Sequence, residues 1–214
     1  VDSLDHMRSF NPEYLFPSHT KPIEGKEVMK TLTLYRDAIQ YVHDQTIRLM
    51  NQGLYPDQII EMIELPSEIV DSPFLNEFYG TIRWSVKSIF SGYLGWFNGN
   101  ISDLDPLSRK EEASRLALMV GGVENIYLQL EAAVAAKDMQ WALQLSDHLI
   151  ALNHKVNKVN ELRSIAAEHI GQRSPNPNKR NYLLSSALEL EPGFELENIM
   201  KSDAYLLKQL SMLF

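Results

Sequence analysis

The sequence predicts an all-α protein, a multi-helix bundle, and three stretches carry that prediction. Over 79–100, YGTIRWSVKSIFSGYLGWFNGN, the apolar residues Ile82, Val86, Ile89, Tyr93 and Trp96, with Phe78 just before, recur at steps of three and four, the spacing of one helical face. Over 25–53, Val28, Leu32, Tyr35, Ile39, Val42 and Leu49 form nearly a heptad seam, interrupted only at Thr46. Over 122–171, small Ala residues alternate with larger apolar ones across short turns, as in helices that approach closely.

A chain of 214 residues with 44% hydrophobic composition has enough apolar surface to bury a sizeable core. Its formal net charge of -8 argues against a nucleic-acid partner, because phosphate tracking needs clustered Lys and Arg. There is no Cys, which excludes disulfides and thiolate metal sites. No transmembrane run or signal peptide is read, and localisation is left open. The chain opens at Val1 rather than Met, so it is expected to be a segment of something longer.

From the N-terminus, 2–23 reads as a short helix, a turn at Asn11-Pro12 and a brief strand at Tyr14, Leu15 and Phe16. A lone strand leaves backbone donors and acceptors without neighbours. No second strand is expected between Gly25 and Arg173, so this piece is expected to be the remnant of another domain. His19, just past the strand, is the candidate for chemistry: an imidazole at a strand end is well placed to ligate a metal. The alternative is a loop histidine capping a turn with Ser18 and Thr20. No other His, Asp or Glu stands near it at ligand spacing.

The helix over 25–53 ends at Gly53. Prolines at 56, 66 and 73 punctuate the next stretch, predicting a short helix over 57–65 and a turn, with Asp71-Ser72-Pro73 signalling the start of the central helix. That helix is apolar over most of its circumference and is expected to be wrapped by others. Arg83 and Lys87, at i,i+4, either face an anion or snorkel at its edge. Asn98-Gly99-Asn100 is a turn, a further helix runs to Val120, and Gly121-Gly122 separates it from the next. The segment LEAAVAAKDMQWALQLSDHLIALN, 130–153, resembles tetratricopeptide units, antiparallel helix pairs with small residues at the contact. His148, His154 and His169 lie in this layer without metal spacing and are expected to be packing or surface residues. RSPNPNKRN, 173–181, is read as a polar turn before a last helix over 182–191.

Three stretches carry a family resemblance. SLDHMRSFNPEYLFPSHTKPIEG resembles the closing strand and loop of the metallo-β-lactamase domain of bacterial alkyl sulfatases. GKEVMKTLTLYRDAIQYVHDQTIRLMNQGL and FYGTIRWSVKSIFSGYLGWFNGN resemble the helical dimerisation domain that follows it. The resemblance implies three parts: 1–24, the end of a metallo-β-lactamase-like catalytic domain; 25–193, the dimerisation domain; and 194–214, a linker and the start of a sterol-carrier-like domain. It implies a homodimer, an alkyl sulfate substrate and a two-zinc site in the parent enzyme, with His19 as its last ligand. The family's His-x-His-x-Asp-His motif is absent from this chain, so the segment is expected to dimerise without catalysing hydrolysis. It also leaves Trp96, Phe97 and Asn98 near the parent's substrate entrance. The alternative function is a free-standing helical interaction or lipid- and detergent-binding module.

Overall fold

The computed structural model describes residues 1–195; the expectation that Leu206, Leu207, Leu210 and Phe214 lack a docking partner falls outside them. Among the described residues the chain is all-α apart from one small hairpin, and it divides into two compact units, 1–106 and 107–214.

The first unit opens with α1, Asp2–Ser9, whose acidic first turn and basic last turn complement the helix dipole. The strand at Tyr14–Leu15, β1, is not alone. It pairs antiparallel with β2, Ile23–Glu24, in the register Tyr14↔Glu24 and Leu15↔Ile23. The partner lies immediately upstream of the stretch where none was expected, and Phe16 stays outside the ladder. The amide of Gly25 donates to Glu13 O at 2.8 Å, extending the pairing by one rung. Ile23 then buries against Val28 and Leu32, so the hairpin is fastened by its own side chains.

The long helix α2, Lys26–Met50, follows the seam only in part. Val28, Leu32 and Leu49 are buried, whereas Tyr35 and Ile39 are exposed. Thr46, the residue that breaks the pattern, is fully buried, and its hydroxyl donates to Val42 O at 2.6 Å. The short helix expected over 57–65 is α3, Pro56–Met62, with a separate single turn α4, Ser67–Val70. Pro66 divides them, because proline cannot extend a helix that precedes it.

The central helix is shorter than its apolar spacing suggests: α5 spans Ile82–Leu94. Its start is fixed by Thr81, whose hydroxyl accepts from Trp84 N at 3.0 Å, and by Glu77, whose carboxylate accepts from Ile82 N at 2.7 Å. Asp71-Ser72-Pro73 therefore does not cap it, and Phe78 and Tyr79 lie before the helix. Gly95, at φ 82°, ends it, a left-handed conformation that favours glycine, and Trp96 falls beyond. The expectation of a wrapped helix is overturned for this chain: only Val86 and Phe90 are buried, against Leu49 of α2 and Ile59 of α3.

In the second unit, α6, Arg109–Met119, begins at a capping box in which Ser108 and Glu111 bond reciprocally. Then α7, Val123–Ala135; α8, Met139–Ala151; α9, Val156–Arg173; and α10, Pro177–Glu189, follow with short turns, each packing on the next. This is the expected run of antiparallel, tetratricopeptide-like pairs. The core joins Ile126, Leu130 and Ala133 to Ala142, Leu145, Leu149, Val159 and Ala166. Small residues set the spacing: a Cβ on Gly171 would stand 3.0 Å from Leu184 Cγ. The last helix starts earlier than expected, inside the stretch read as a turn, because Asn176 caps it, accepting from Lys179 N, and Pro177 occupies its first turn.

Candidate functional site

His19 sits on the exposed loop between β1 and β2. Its imidazole lies against the ring of Tyr79, centroids 5.1 Å apart and planes at 31°. Among the described residues no group of three or more His, Asp or Glu is gathered in the manner of a metal site. His148 is half-buried on α8. The Nε2 of His154 is 3.2 Å from Glu124 Oε2, and its ring meets Tyr127 edge-on. Desolvation first, then the charges of Arg173 and Lys137, hold His169 below the ordinary imidazole range.

The outward side of α5 is the second candidate. Trp84 and Leu94 are 41% and 59% exposed, and Trp96 just past the helix is 76% exposed; Tyr93, 62% exposed, flanks this surface from the packed side of the helix. Large apolar side chains concentrated on one element in this way mark an interaction surface more often than chance exposure does. Trp96 also borders a cavity of about 260 Å³ with Tyr55, Lys87, Phe90, Asn98 and Asp103. Lys87 is not presented to an anion: its Nζ pairs with Asp57 Oδ1 at 3.3 Å.

One cluster had no sequence signal. His43 on α2 holds Asp44 Oδ1 at 2.9 Å through Nδ1 and Tyr93 Oη at 2.9 Å through Nε2. The hydrogen bond from His43 is the main reason the Asp44 carboxyl lies below its usual range. The adjacency of His43 and Asp44 is visible in the sequence, but their convergence with Tyr93 depends on how α2 and α5 pack. This polar tie fixes Tyr93 at the edge of the exposed apolar face.

A model of the family described as alkyl sulfatase dimerisation matches residues 55–193, more than half of the chain. A linear primary-alkylsulfatase from Pseudomonas sp. is 41% identical over 197 residues, covering 91% of this chain and 37% of the relative. An (R)-specific secondary-alkylsulfatase, also from Pseudomonas sp., is 30% identical over 183 residues, covering 85% of this chain and 28% of the relative. Among solved structures, the stereoselective inverting sec-alkylsulfatase Pisa1 from Pseudomonas sp. superposes with a TM-score of 0.80 at 27% identity, over 91% of this chain and 31% of that one. The chain thus spans about a third of the length of the relatives it matches. The helical pairs, the central α5 and the match over 55–193 together make this chain a member of the alkyl sulfatase dimerisation family.

Proposed function

We propose that this chain is the dimerisation region of a zinc-dependent alkyl sulfatase, and that it forms a homodimer through the outward face of α5. The observation that carries the reading is the exposure of Trp84 and Leu94 on the outward side of α5 and of Trp96 at its end. Tryptophan and tyrosine dominate binding energy at protein interfaces because they bury large area with few rotatable bonds. The face is also pre-formed. Val86 and Phe90 anchor the packed side of α5, away from Trp84, and the His43 contact holds Tyr93 on that packed side.

The test is the solution mass. Light scattering or sedimentation of the chain, 24.5 kDa per copy, is expected to give twice that value. Leu94→Glu with Trp96→Ser is expected to raise the dimer dissociation constant at least about a hundredfold, since each lost hot-spot contact is worth roughly 2 kcal/mol. A concentration-independent monomer in the unsubstituted chain removes the proposal.

For the chemistry of the parent enzyme, His19 fits as one zinc donor, being an exposed imidazole on the loop between β1 and β2. A catalytic zinc takes about three protein ligands, and the described residues gather no such set. When bound, zinc supplies an activated water for attack on a sulfate ester. The contribution of this chain is one imidazole and the surface that pairs two copies. In the protein at the length of its relatives, His19→Ala is expected to lower zinc content and alkyl sulfate turnover together. Undiminished zinc would remove the ligand role.

A second reading, a detergent-binding face, draws on the cavity beside Trp96. It predicts saturable quenching of tryptophan fluorescence by dodecyl sulfate below its micelle concentration. A linear response removes it.

A further inference from the structure

The hairpin fixes the backbone on both sides of the His19 loop, because Tyr14 and Leu15 pair with Glu24 and Ile23. It does not fix the imidazole, which stands on exposed loop and has two side-chain torsions free to rotate. What meets the ring is Tyr79, a residue from a distant part of the sequence. Tyr79 in turn belongs to the segment that leads into α5. Phe78 N donates to Asn76 O at 2.7 Å, Glu77 accepts from the first amide of α5, and Thr81 caps its first turn. The place of the Tyr79 ring is therefore set by the start of the helix whose other end carries Trp96.

We propose that Tyr79 is a positioning residue for His19: its ring restricts rotation of the imidazole and links the orientation of that side chain to α5. This rests on the reading of His19 as a zinc ligand. Metal-binding imidazoles are ordinarily oriented by a hydrogen bond to the second ring nitrogen. Here an aromatic face serves that purpose and leaves the hydrogen-bonding capacity of both nitrogens unspent on Tyr79. The ring matters rather than the hydroxyl, so phenylalanine is expected to substitute and aliphatic residues are not.

The experiment is histidine-selective NMR of the 214-residue chain, with the His19 imidazole signal assigned by its loss in His19→Gln. In the unsubstituted chain, nuclear Overhauser contacts between the His19 and Tyr79 rings are expected, together with a ring-current displacement of the His19 signal. Tyr79→Phe is expected to keep that displacement. Tyr79→Ala is expected to move His19 to the position of a free imidazole while the His43 and His154 signals stay in place. Absence of the ring-to-ring contacts in the unsubstituted chain overturns the proposal without relying on any variant. So does a His19 signal unmoved in Tyr79→Ala, or a Phe variant that behaves like Ala.

In the protein at the length of its relatives, chelator competition is expected to show zinc affinity about tenfold weaker in Tyr79→Ala, the lower range for loss of a supporting partner, and restored in Tyr79→Phe. Unchanged affinity overturns the positioning role. Zinc content indifferent to His19→Ala overturns instead the ligand role of His19, so the two failures are distinguishable.

Discussion

Thr46 shows at the scale of one residue how the interior handles a polar interruption. It occupies a fully buried position in the middle of an apolar seam, and its hydroxyl is satisfied by the carbonyl one turn back. That carbonyl already serves the helix, and back-bonding of this kind slightly weakens and bends a helix. Thr46→Val keeps the shape and removes the hydroxyl, so it is expected to raise stability by a few tenths to about 1 kcal/mol, read as an upward shift of the denaturation midpoint. Thr46→Ser, which keeps the hydroxyl and loses a methyl, is expected to lower it.

Glu124 makes a titratable counterpart. Its hydrogen bond from Lys155, opposed by desolvation and reinforced by the Lys155 charge and by His154, holds its carboxyl below the ordinary glutamate value of 4.5. The folded state therefore binds this proton more weakly than the unfolded chain. The stabilisation is present above pH 4.5 and is lost as pH falls through the lower, folded value. Glu124→Gln is expected to melt below the parent at neutral pH and to converge with it in acid. A gap that persists in acid would refute the assignment. Because the carboxylate is half exposed, the gap is expected to be small and to shrink with salt.

At the scale of the element, α5 and α2 carry the argument together. Leu49 is fully buried and meets Ile59, Val86 and Phe90, so it joins α2 to both α3 and α5. Leu49→Ala removes three carbons from a closed cluster and is expected to cost about 2–5 kcal/mol, measured by urea denaturation. Ile39→Ala, on the exposed part of the same helix, is expected to change stability of the single chain by less than about 0.5 kcal/mol.

The contrast explains what was legible in the sequence. Periodicity found α2, α5 and the helix pairs because one apolar face recurs whatever covers it. It did not say what covers it: Tyr35, Ile39, Tyr93 and Trp96 obey the same spacing as Leu49 and Val86 yet remain exposed in one copy. Helix starts were misplaced where a cap competed with apolar spacing, at Thr81 and Asn176. The partner of β1 was missed because a strand of two residues carries no alternation to detect. His19 was singled out by its place just past a strand, but its role as a zinc ligand came only through resemblance, since the other donors of a zinc site are not gathered around it among the described residues.

For the whole molecule, the balance of charge bears on the proposed pairing. Each chain carries a formal net charge of -8, so two copies repel at any approach, and an apolar face must overcome that repulsion. The relevant lever is ionic strength. The Debye length falls from about 30 Å at 0.01 M salt to about 10 Å at 0.1 M, so added salt screens the mutual repulsion while leaving burial of Trp84, Leu94 and Trp96 largely untouched. If the α5 face drives association, the dimer dissociation constant is expected to fall roughly threefold to tenfold over that range. An interface held instead by ion pairs between copies gives the opposite slope, because its attractive terms are the ones screened. Sedimentation at several salt concentrations separates the two, and dissociation that strengthens with salt would place the contact on a charged surface rather than on α5.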